Sequence, residues 1–149
     1  MSTIIIIYST IGGNTELAVK RAQQEFERFD YQVELKRVDI AKANDITNCD
    51  LTVLASPTYG QGTVEDHFKP FLSELKSIDI STQKFAVIGL GDNKYYPEYL
   101  TESAGILEEE IKKYGGNIIA PPLRIGMPPL KFIDKLVPSW VVKVVEGMK

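Results

Sequence analysis

The sequence is poor in the residues that build disulfides, metal sites and catalytic centres. Of its 149 residues, one is cysteine, Cys49, and one is histidine, His67. A single cysteine cannot form an internal disulfide, and we interpret Cys49, at the start of a predicted strand, as a small, buried, inert thiol. This cysteine usage is typical of a reducing compartment, so we expect a cytoplasmic protein. We identify no catalytic acid, base or nucleophile, and we predict no metal site.

Long apolar runs are missing as well. No stretch approaches the ~20 residues that a membrane-spanning helix needs, and residues 1–3 lack the charged segment that begins a secretory signal. The net charge of −3 argues against nucleic acid as a partner. With 44% hydrophobic and 25% charged residues, the composition is that of an ordinary globular protein. We therefore expect a single domain over residues 1–149, without a membrane or nucleic-acid partner.

Basic residues are scarce in the middle of the chain. The segment 58–110 holds ten of the twenty Asp and Glu residues but four of the seventeen Lys and Arg residues. One interpretation is scattered, solvated charge. The other is an acidic face that attracts a basic partner through long-range electrostatics.

Strand and helix patterns alternate along the whole chain. The predicted strands, apolar or alternating in pattern, span 4–8, 32–38, 51–55, 85–89 and 117–119. The predicted helices, with apolar residues at helical spacing, span 15–29, 66–75, 99–114 and 130–147. Such alternation is typical of an open parallel sheet with helices on both faces. Ligands of these sheets bind at the carboxyl ends of the strands, where the strand order reverses.

Individual side chains outside the loops receive structural interpretations. We place Leu17 and Phe29 on the apolar face of the first helix and Trp140 in the core, and we interpret Tyr31 as structural. His67 is expected to be exposed in the first turn of a helix, with a pH-sensitive role as the alternative. The segment 108–110 is interpreted as a solvated helix face, with partner docking as the alternative.

The loop after the first strand, 9–15, is rich in hydrogen-bond donors. It combines two glycines with four hydroxyl or amide side chains: Ser9, Thr10, Asn14 and Thr15. Such a turn leaves backbone N–H groups without carbonyl partners, and the following helix adds partial positive charge, so a phosphate can bind there. The loop lacks both the dinucleotide-binding glycine pattern and the Walker lysine. Because it contains no Lys or Arg, we expect neutral donors to hold a phosphate monoester that stays bound.

The loops after the third and fourth strands both carry tyrosine. The second loop, 56–62, reads Ser-Pro-Thr-Tyr-Gly-Gln-Gly, and the third loop, 89–97, reads Gly-Leu-Gly-Asp-Asn-Lys-Tyr-Tyr-Pro. Both follow apolar runs, so they leave the sheet at the same edge as the first loop. A phosphate site beside two such loops predicts a binding site for a planar, phosphorylated ring.

Taken in this order, the three loops resemble those of short-chain flavodoxins. The segment 10–15 is similar to the family pattern Thr/Ser-x-Thr-Gly-x-Thr but departs from it at Gly12, where the family has a hydroxyl residue. Ser9 and Thr58 are the candidates for replacing that donor. The resemblance covers the whole chain and implies an α/β fold of three layers, the flavodoxin-like fold, with a five-stranded parallel sheet of order 2-1-3-4-5.

The resemblance also implies a cofactor, FMN, and roles for the aromatic loops. Tyr59 and Tyr95 are the implied neighbours on the two faces of the isoalloxazine ring, with Tyr96 as the alternative to Tyr95. Gly60 is the implied residue whose peptide turns over on reduction, so that its carbonyl accepts the proton on flavin N5. Glycine tolerates the positive φ that this change requires.

The remaining implied contacts lie at the pyrimidine edge of the ring, near the peptides of Gly91 and Asp92. The complete set of implied cofactor-binding residues is Ser9, Thr10, Ile11, Gly12, Gly13, Asn14, Thr15, Pro57, Thr58, Tyr59, Gly60, Gly89, Gly91, Asp92 and Tyr95.

The implied function is one-electron transfer at low potential by tightly bound, non-covalent FMN that cycles between semiquinone and hydroquinone. The fully reduced ring is an anion, and it would lie near Asp92, Glu65, Asp66 and the phosphate, with Lys94 as the nearest candidate cation. Anionic surroundings of this kind make the second reduction costly. The implied partners are redox proteins, a reductase donor and an acceptor enzyme, that dock on the acidic flavin side of a monomer.

Three other functions stay open at this point. One is an FMN-dependent NAD(P)H or quinone reductase, and another is a dedicated FMN subunit of one reductase system. The third is a flavin-free phosphoryl receiver, which the sequence disfavours because Ser9, Thr10 and Ser56 stand where receivers carry acidic residues.

Overall fold

A twisted parallel sheet forms the centre of the molecule. In this computed structural model the described residues are 2–9, 13–59, 63–64, 66–91, 102–126 and 129–149, with the backbone alone described at 59, 63–64 and 129–131. The strands are β1 (Thr3–Tyr8), β2 (Gln32–Arg37), β3 (Leu51–Tyr59), β4 (Thr63–Val64), β5 (Lys84–Leu90), β6 (Asn117–Ile118) and β7 (Leu123–Ile125). Their order is β2-β1-β3-β5-β6, with β7 also on β5 and β4 antiparallel to β3. The predicted order 2-1-3-4-5 is confirmed, with the fifth strand divided into β6 and β7.

Four helices cover the two faces of the sheet. They are α1 (Asn14–Glu27), α2 (Phe68–Leu75), α3 (Glu102–Lys113) and α4 (Pro129–Met148), and a short 3-10 helix spans Ala43–Ile46. Helices α1 and α4 pack on one face, and α2 and α3 pack on the other. The predicted helices are confirmed, with ends that differ by a few residues and with 99–101 outside the described residues. The part of the chain that the structure describes contains no helix long and apolar enough to span a membrane.

The apolar run of β1 belongs to two hydrophobic cores at once. Ile4 and Ile6 pack with α1 and α4, whereas Ile5 and Ile7 pack with α2 and α3. Successive side chains of a strand point to opposite faces, so a strand covered on both sides is apolar throughout. Strand β2 pairs only with β1 among the described strands, and its alternating pattern matches this edge position.

Strand β3 is longer than predicted. The expected strand 51–55 continues to Tyr59, so the first four residues of the second loop are strand. Ser56 and Pro57 pair with Gly89 and Leu90 of β5, and the next two residues pair with β4. The segment is polar and contains proline, so its own composition favours a loop. Pairing with β4 and β5 holds it as a strand, and the composition of the segment does not reveal that pairing.

Two residues placed on the apolar face of the first helix are exposed. Leu17 is 45% exposed and Phe29 is 44% exposed. The buried stripe of α1 passes through Ala18, Val19, Ala22 and Phe26, and Leu17 lies beside that stripe. Phe29 comes after the last residue of the helix, where helical spacing no longer determines its direction.

The other structural interpretations hold in most cases. Trp140 is buried, and its indole N–H donates to Pro121 O at 2.9 Å. Tyr31 packs edge-on against Phe26, with ring centroids 6.5 Å apart. His67 is exposed at the start of α2. Cys49 is partly buried rather than buried, and burial raises the pKa of its thiol, which keeps it protonated and unreactive at neutral pH.

The acidic segment 108–110 of α3 is less exposed than the solvated face that was predicted. Glu109 is exposed, but Glu108 and Glu110 are partly buried. Glu108 pairs with Lys112 at 3.2 Å, and Glu110 accepts a hydrogen bond from the Tyr114 hydroxyl.

Candidate functional site

The three loops leave the sheet side by side. Tyr8, the last residue of β1, pairs with Ala55 of β3, and Ala55 pairs in turn with Ile88 of β5. Because these strands are parallel, their carboxyl ends meet at one edge of the sheet. The strand order reverses between β1 and β3, which is where ligands of doubly wound sheets bind. The topology therefore brings the described parts of the three predicted loops to one place.

Several predicted site residues lie outside the described residues. In the first loop these are Thr10, Ile11 and Gly12, and in the other two loops they are Gly60, Asp92 and Tyr95. Tyr96, Lys94 and Glu65 lie outside them too. The arrangement of tyrosines on the two faces of a ring therefore stays a prediction.

Helix α1 begins with an uncapped turn. Gly13, the residue that precedes the helix, has φ 78° and ψ −13°, a left-handed conformation that glycine adopts at low cost. No side chain among the described residues caps this helix start. The first intrahelical bond joins the Leu17 N–H to Gly13 O at 3.2 Å, so the preceding N–H groups have no intrahelical acceptor. Such a helix start attracts an anion.

Thr15 places an unpaired hydroxyl in the same turn. Its side chain is 1% exposed, and Thr15 Oγ1 is one of two buried side-chain polar atoms without a hydrogen-bond partner among the described residues. A buried polar group without a partner costs about 1–3 kcal/mol. A ligand oxygen at the start of α1 would remove that cost, so the residues present fit a phosphate group.

Ser9 adds a second hydroxyl at the end of β1. Its residue is 3% exposed, and its backbone N–H donates to Ala55 O at 3.1 Å. The sheet therefore uses the backbone donor of Ser9. The loop 9–15 contains no Lys or Arg, and the Lys20 ammonium nearby pairs with Glu16 at 3.1 Å. Neutral donors are thus the main polar groups among the described residues of this turn.

Tyr8 lies directly below this turn. Burial, and then the negative charge of Glu16, raise the pKa of its phenol above the ordinary value. Tyr8 is therefore neutral at physiological pH and adds no charge to the anion site.

The hydroxyl of Thr58 points into the protein rather than toward the first loop. Thr58 Oγ1 accepts the Ser103 N–H at 3.1 Å and donates to Ser103 Oγ at 2.9 Å. A hydroxyl has one proton to donate, and α3 takes this one. Of the two candidates for replacing the donor missing at Gly12, Ser9 is the one that this geometry favours.

The two described glycines of the third loop contact other parts of the protein. A Cβ on Gly89 would lie 2.6 Å from Ala104 Cβ, so the bare glycine lets α3 pack closely on β5. The Gly91 N–H donates to Ile125 O at 2.9 Å. Gly89 therefore positions a helix, and the Gly91 N–H is already used by a bond to β7.

Ser103 is a residue that the sequence interpretation missed. It is fully buried at the start of α3, and its hydroxyl donates to Ser56 O at 3.0 Å. A hydroxyl residue near the start of a predicted helix was the available signal, but helix starts commonly carry serine. Only the packed structure shows that its partners lie on β3.

These features define a class of protein. A doubly wound α/β sheet, with an uncapped helix start and a buried, unpaired hydroxyl at its strand reversal, is suited to holding a phosphorylated ligand at its carboxyl edge. The flavodoxin family model matches residues 6–140. The flavodoxin of Maridesulfovibrio salexigens is 32% identical over 143 residues, which cover 94% of each chain. The chain belongs to the flavodoxin family.

Solved structures agree with this assignment. Oxidised flavodoxin 2 from Bacillus cereus superposes with a TM-score of 0.88 at 27% identity, over 97% of this chain and 99% of that one. A Fusobacterium nucleatum flavodoxin bound to flavin mononucleotide has a TM-score of 0.84 at 20% identity, over 100% of both chains. The predicted family and fold are therefore confirmed.

Family membership also decides among the alternative functions. Flavodoxins are FMN-binding electron-transfer proteins rather than enzymes. Membership of this family therefore argues against the NAD(P)H or quinone reductase and against the flavin-free phosphoryl receiver.

Proposed function

We propose that this chain is an electron carrier that binds one FMN non-covalently at the carboxyl edge of its sheet. The observation that carries the proposal is the buried, unpaired Thr15 hydroxyl in the uncapped first turn of α1. The phosphate monoester of FMN supplies acceptor oxygens for this hydroxyl and for the free N–H groups of the turn. When bound, FMN supplies the electron chemistry, and the protein supplies the binding and the electrostatic surroundings.

The phosphate-binding residues in this proposal are those of the first loop. Ser9, Gly13, Asn14 and Thr15 are its described members, and the segment 10–12 completes it. The ring would lie between Tyr59 and Tyr95, with the Gly60 carbonyl at N5 and the peptides of Gly91 and Asp92 at the pyrimidine edge.

The carrier is proposed to cycle between semiquinone and hydroquinone at low potential. A second electron would add a negative charge to a ring held in the same site as a phosphate dianion. The described acidic residues that flank the second and third loops are Asp66 and Glu102, both exposed. Asp66 is 81% exposed and pairs with Lys69 at 3.1 Å, a contact that solvent screens strongly. Surroundings of this kind disfavour a further negative charge.

The proposed partners are redox proteins that dock on the acidic flavin side, one as reductase donor and one as acceptor. Complementary charge accelerates the formation of such encounters. A carrier that exposes one edge of its cofactor to successive partners is proposed to act as a monomer. We propose the cytoplasm as its location because its one cysteine, Cys49, is a free thiol.

Replacement of one hydroxyl tests the phosphate site directly. Thr15→Val removes the unpaired hydroxyl with little change of shape, so the apoprotein should be at least as stable as the wild type. The affinity for FMN should fall by about tenfold or more, since a hydrogen bond to a charged group contributes about 1.5–3 kcal/mol. Binding is measured by titration of apoprotein with FMN, followed by the quenching of flavin fluorescence.

Thr52→Val is the matched control. Thr52 Oγ1 is the other buried hydroxyl without a partner among the described residues. Thr52 lies within β3, inside the sheet. Its removal should leave FMN affinity unchanged. The proposal fails if the wild-type apoprotein stays colourless with micromolar FMN, or if the two valine variants bind FMN equally well. Stepwise reduction of the wild type, followed by absorbance, tests the one-electron steps.

A further inference from the structure

Three buried residues form a connected set of hydrogen bonds between the end of β3 and the start of α3. The set, which we name the hydroxyl relay, consists of Ser56, Thr58 and Ser103, which are 0%, 5% and 0% exposed. The Ser103 N–H donates to Thr58 Oγ1 at 3.1 Å, and the Thr58 hydroxyl donates to Ser103 Oγ at 2.9 Å. The Ser103 hydroxyl then donates to Ser56 O at 3.0 Å. The hydroxyl protons of Thr58 and Ser103 are therefore both used within the set, and the Ser56 hydroxyl donates to Pro57 O at 2.8 Å.

The relay lies where the sheet stops holding these segments together. The last paired residues of β3 and β5 are Pro57 and Leu90. Beyond them β3 pairs, among the described strands, only with the short strand β4, and β5 leads into the third loop. Thr58 immediately precedes Tyr59, and Ser103 is the second residue of α3. The relay thus replaces the backbone ladder as the connection between the end of β3 and the start of α3.

Close packing supports the same connection. The missing side chain of Gly89 lets Ala104, the neighbour of Ser103, lie against β5, where a Cβ would be only 2.6 Å from Ala104 Cβ. The first turn of α3 is therefore held by an apolar contact to β5 and by the relay to β3. A buried polar set of this kind is stable only when every member is satisfied. Loss of one hydroxyl leaves its partners unpaired and loosens the junction.

We propose that Thr58 and Ser103 are positioning residues that fix the end of β3, and with it the backbone leading into Tyr59, against the start of α3 in the geometry that binding of a planar ring requires. The proposal rests on the proposed binding of FMN, but it concerns the ring half of that site alone. Neither hydroxyl contacts the ligand in this scheme. Both act through the backbone that precedes Tyr59 and through the start of α3.

Binding of two different ligands distinguishes effects on the ring half of the site from effects on the phosphate half. Riboflavin carries the ring and lacks the phosphate, whereas FMN carries both. Thr58→Val breaks the relay, so it should weaken riboflavin and FMN binding by the same factor, about tenfold, as expected when buried partners lose a hydrogen bond. Thr15→Val should weaken FMN binding alone. Affinities are measured by fluorescence quenching on apoprotein well below the unfolding temperature.

Conservative variants distinguish positioning from general destabilisation. Thr58→Ser keeps the hydroxyl and should restore both affinities to within about twofold of the wild type. Thr52→Val makes the same chemical change on the same strand and the same face of the sheet, without touching the relay, and should change neither affinity. Ser103→Ala keeps the backbone bond to Thr58 and removes the two side-chain bonds. It should have a smaller effect of the same kind, and it serves as the test if Thr58→Val does not fold.

The outcomes separate this inference from the proposed function. Failure of the wild type to bind FMN overturns the function. If the wild type binds FMN, the inference is overturned when Thr58→Val lowers the unfolding temperature but leaves riboflavin affinity unchanged. It is also overturned when FMN binding weakens while riboflavin binding does not. Equal loss for both ligands, with rescue by Thr58→Ser, supports it.

Discussion

At the scale of single residues, Thr15 and Thr52 show how location decides the meaning of a side chain. Both are threonines with almost no exposed surface, and both have a hydroxyl without a partner among the described residues. Thr15 lies at an uncapped helix start, at the edge where the loops meet, so its hydroxyl is available to a ligand. Thr52 lies inside the sheet, where the hydroxyl only adds a desolvation cost. Sequence pattern alone does not separate them.

Tyr114 carries a pH dependence that can be predicted at the same scale. Burial, and then the hydrogen bond to Glu110 and its charge, raise the pKa of Tyr114 to about 12. The folded pKa lies above the ordinary value of about 10, so this contact stabilises the fold below pH 10 and is lost as the pH rises through 12. In a titration followed at 295 nm, Tyr114 should ionise late.

Tyr114→Phe tests the assignment. The variant should lack one late-ionising phenol, and its stability should vary less between pH 10 and 12 than that of the wild type. Tyr31→Phe serves as the control for loss of a tyrosine elsewhere. A difference spectrum that places the lost phenol near pH 10 would contradict the prediction.

At the scale of elements, α1 and α4 are joined by an ion-pair network. Arg21 of α1 donates to Glu25 at 3.2 Å and to Asp134 of α4 at 2.6 Å. The Glu25 side chain is 7% exposed, which makes it the one strongly buried carboxylate in this network, whereas that of Asp134 is 80% exposed. Breaking a buried pair costs more than breaking an exposed one, because it leaves a charge without its partner.

Arg21→Gln should therefore lower the free energy of unfolding by about 2 kcal/mol. The effect is smaller than for a fully isolated buried charge, because Arg28 stays 3.6 Å from Glu25. Lys112→Gln is the matched control, since its pair with Glu108 is more open to solvent, with the lysine 60% and the carboxylate 21% exposed, and its loss should change stability by less than about 0.5 kcal/mol. Urea unfolding measures both variants. Equal losses would show that burial does not decide the contribution of these pairs.

At the scale of the whole molecule, FMN should stabilise the fold by mass action. At a free concentration one hundred times its dissociation constant, the ligand adds about 2.7 kcal/mol to the free energy of unfolding. In a chain of 149 residues the melting temperature should then rise by about 5–10 °C. Thermal melts of the apoprotein at increasing FMN concentrations measure this shift. Adenosine monophosphate, with the same phosphate on another ring, is the control and should produce no comparable shift, and a melting temperature independent of FMN would contradict the prediction.

Much of the architecture could be predicted because buried strands and amphipathic helices impose their own periods on a sequence. The apolar run 4–7 predicts a strand covered on both faces, and it packs into two cores. The extension of β3 through Pro57 was missed, because pairing with β4 and β5 holds a segment whose own composition favours a loop. Leu17 was misplaced because the spacing of apolar residues does not show how much of a helix surface the neighbouring helix covers. The single domain over 1–149 and the tyrosine pair stay predictions.

The order of residues alone determined the alternation of strands and helices, the donor-rich first loop and the family to which the chain belongs, because these depend on local pattern and on short motifs. Which hydroxyl is free and which is already bonded was decided by tertiary structure. Thr58 was a candidate phosphate donor by sequence, and Ser103, 45 positions further along the chain, takes its proton. Contacts between residues so distant in sequence arise only when the sheet and its helices pack together, so no local pattern reveals them.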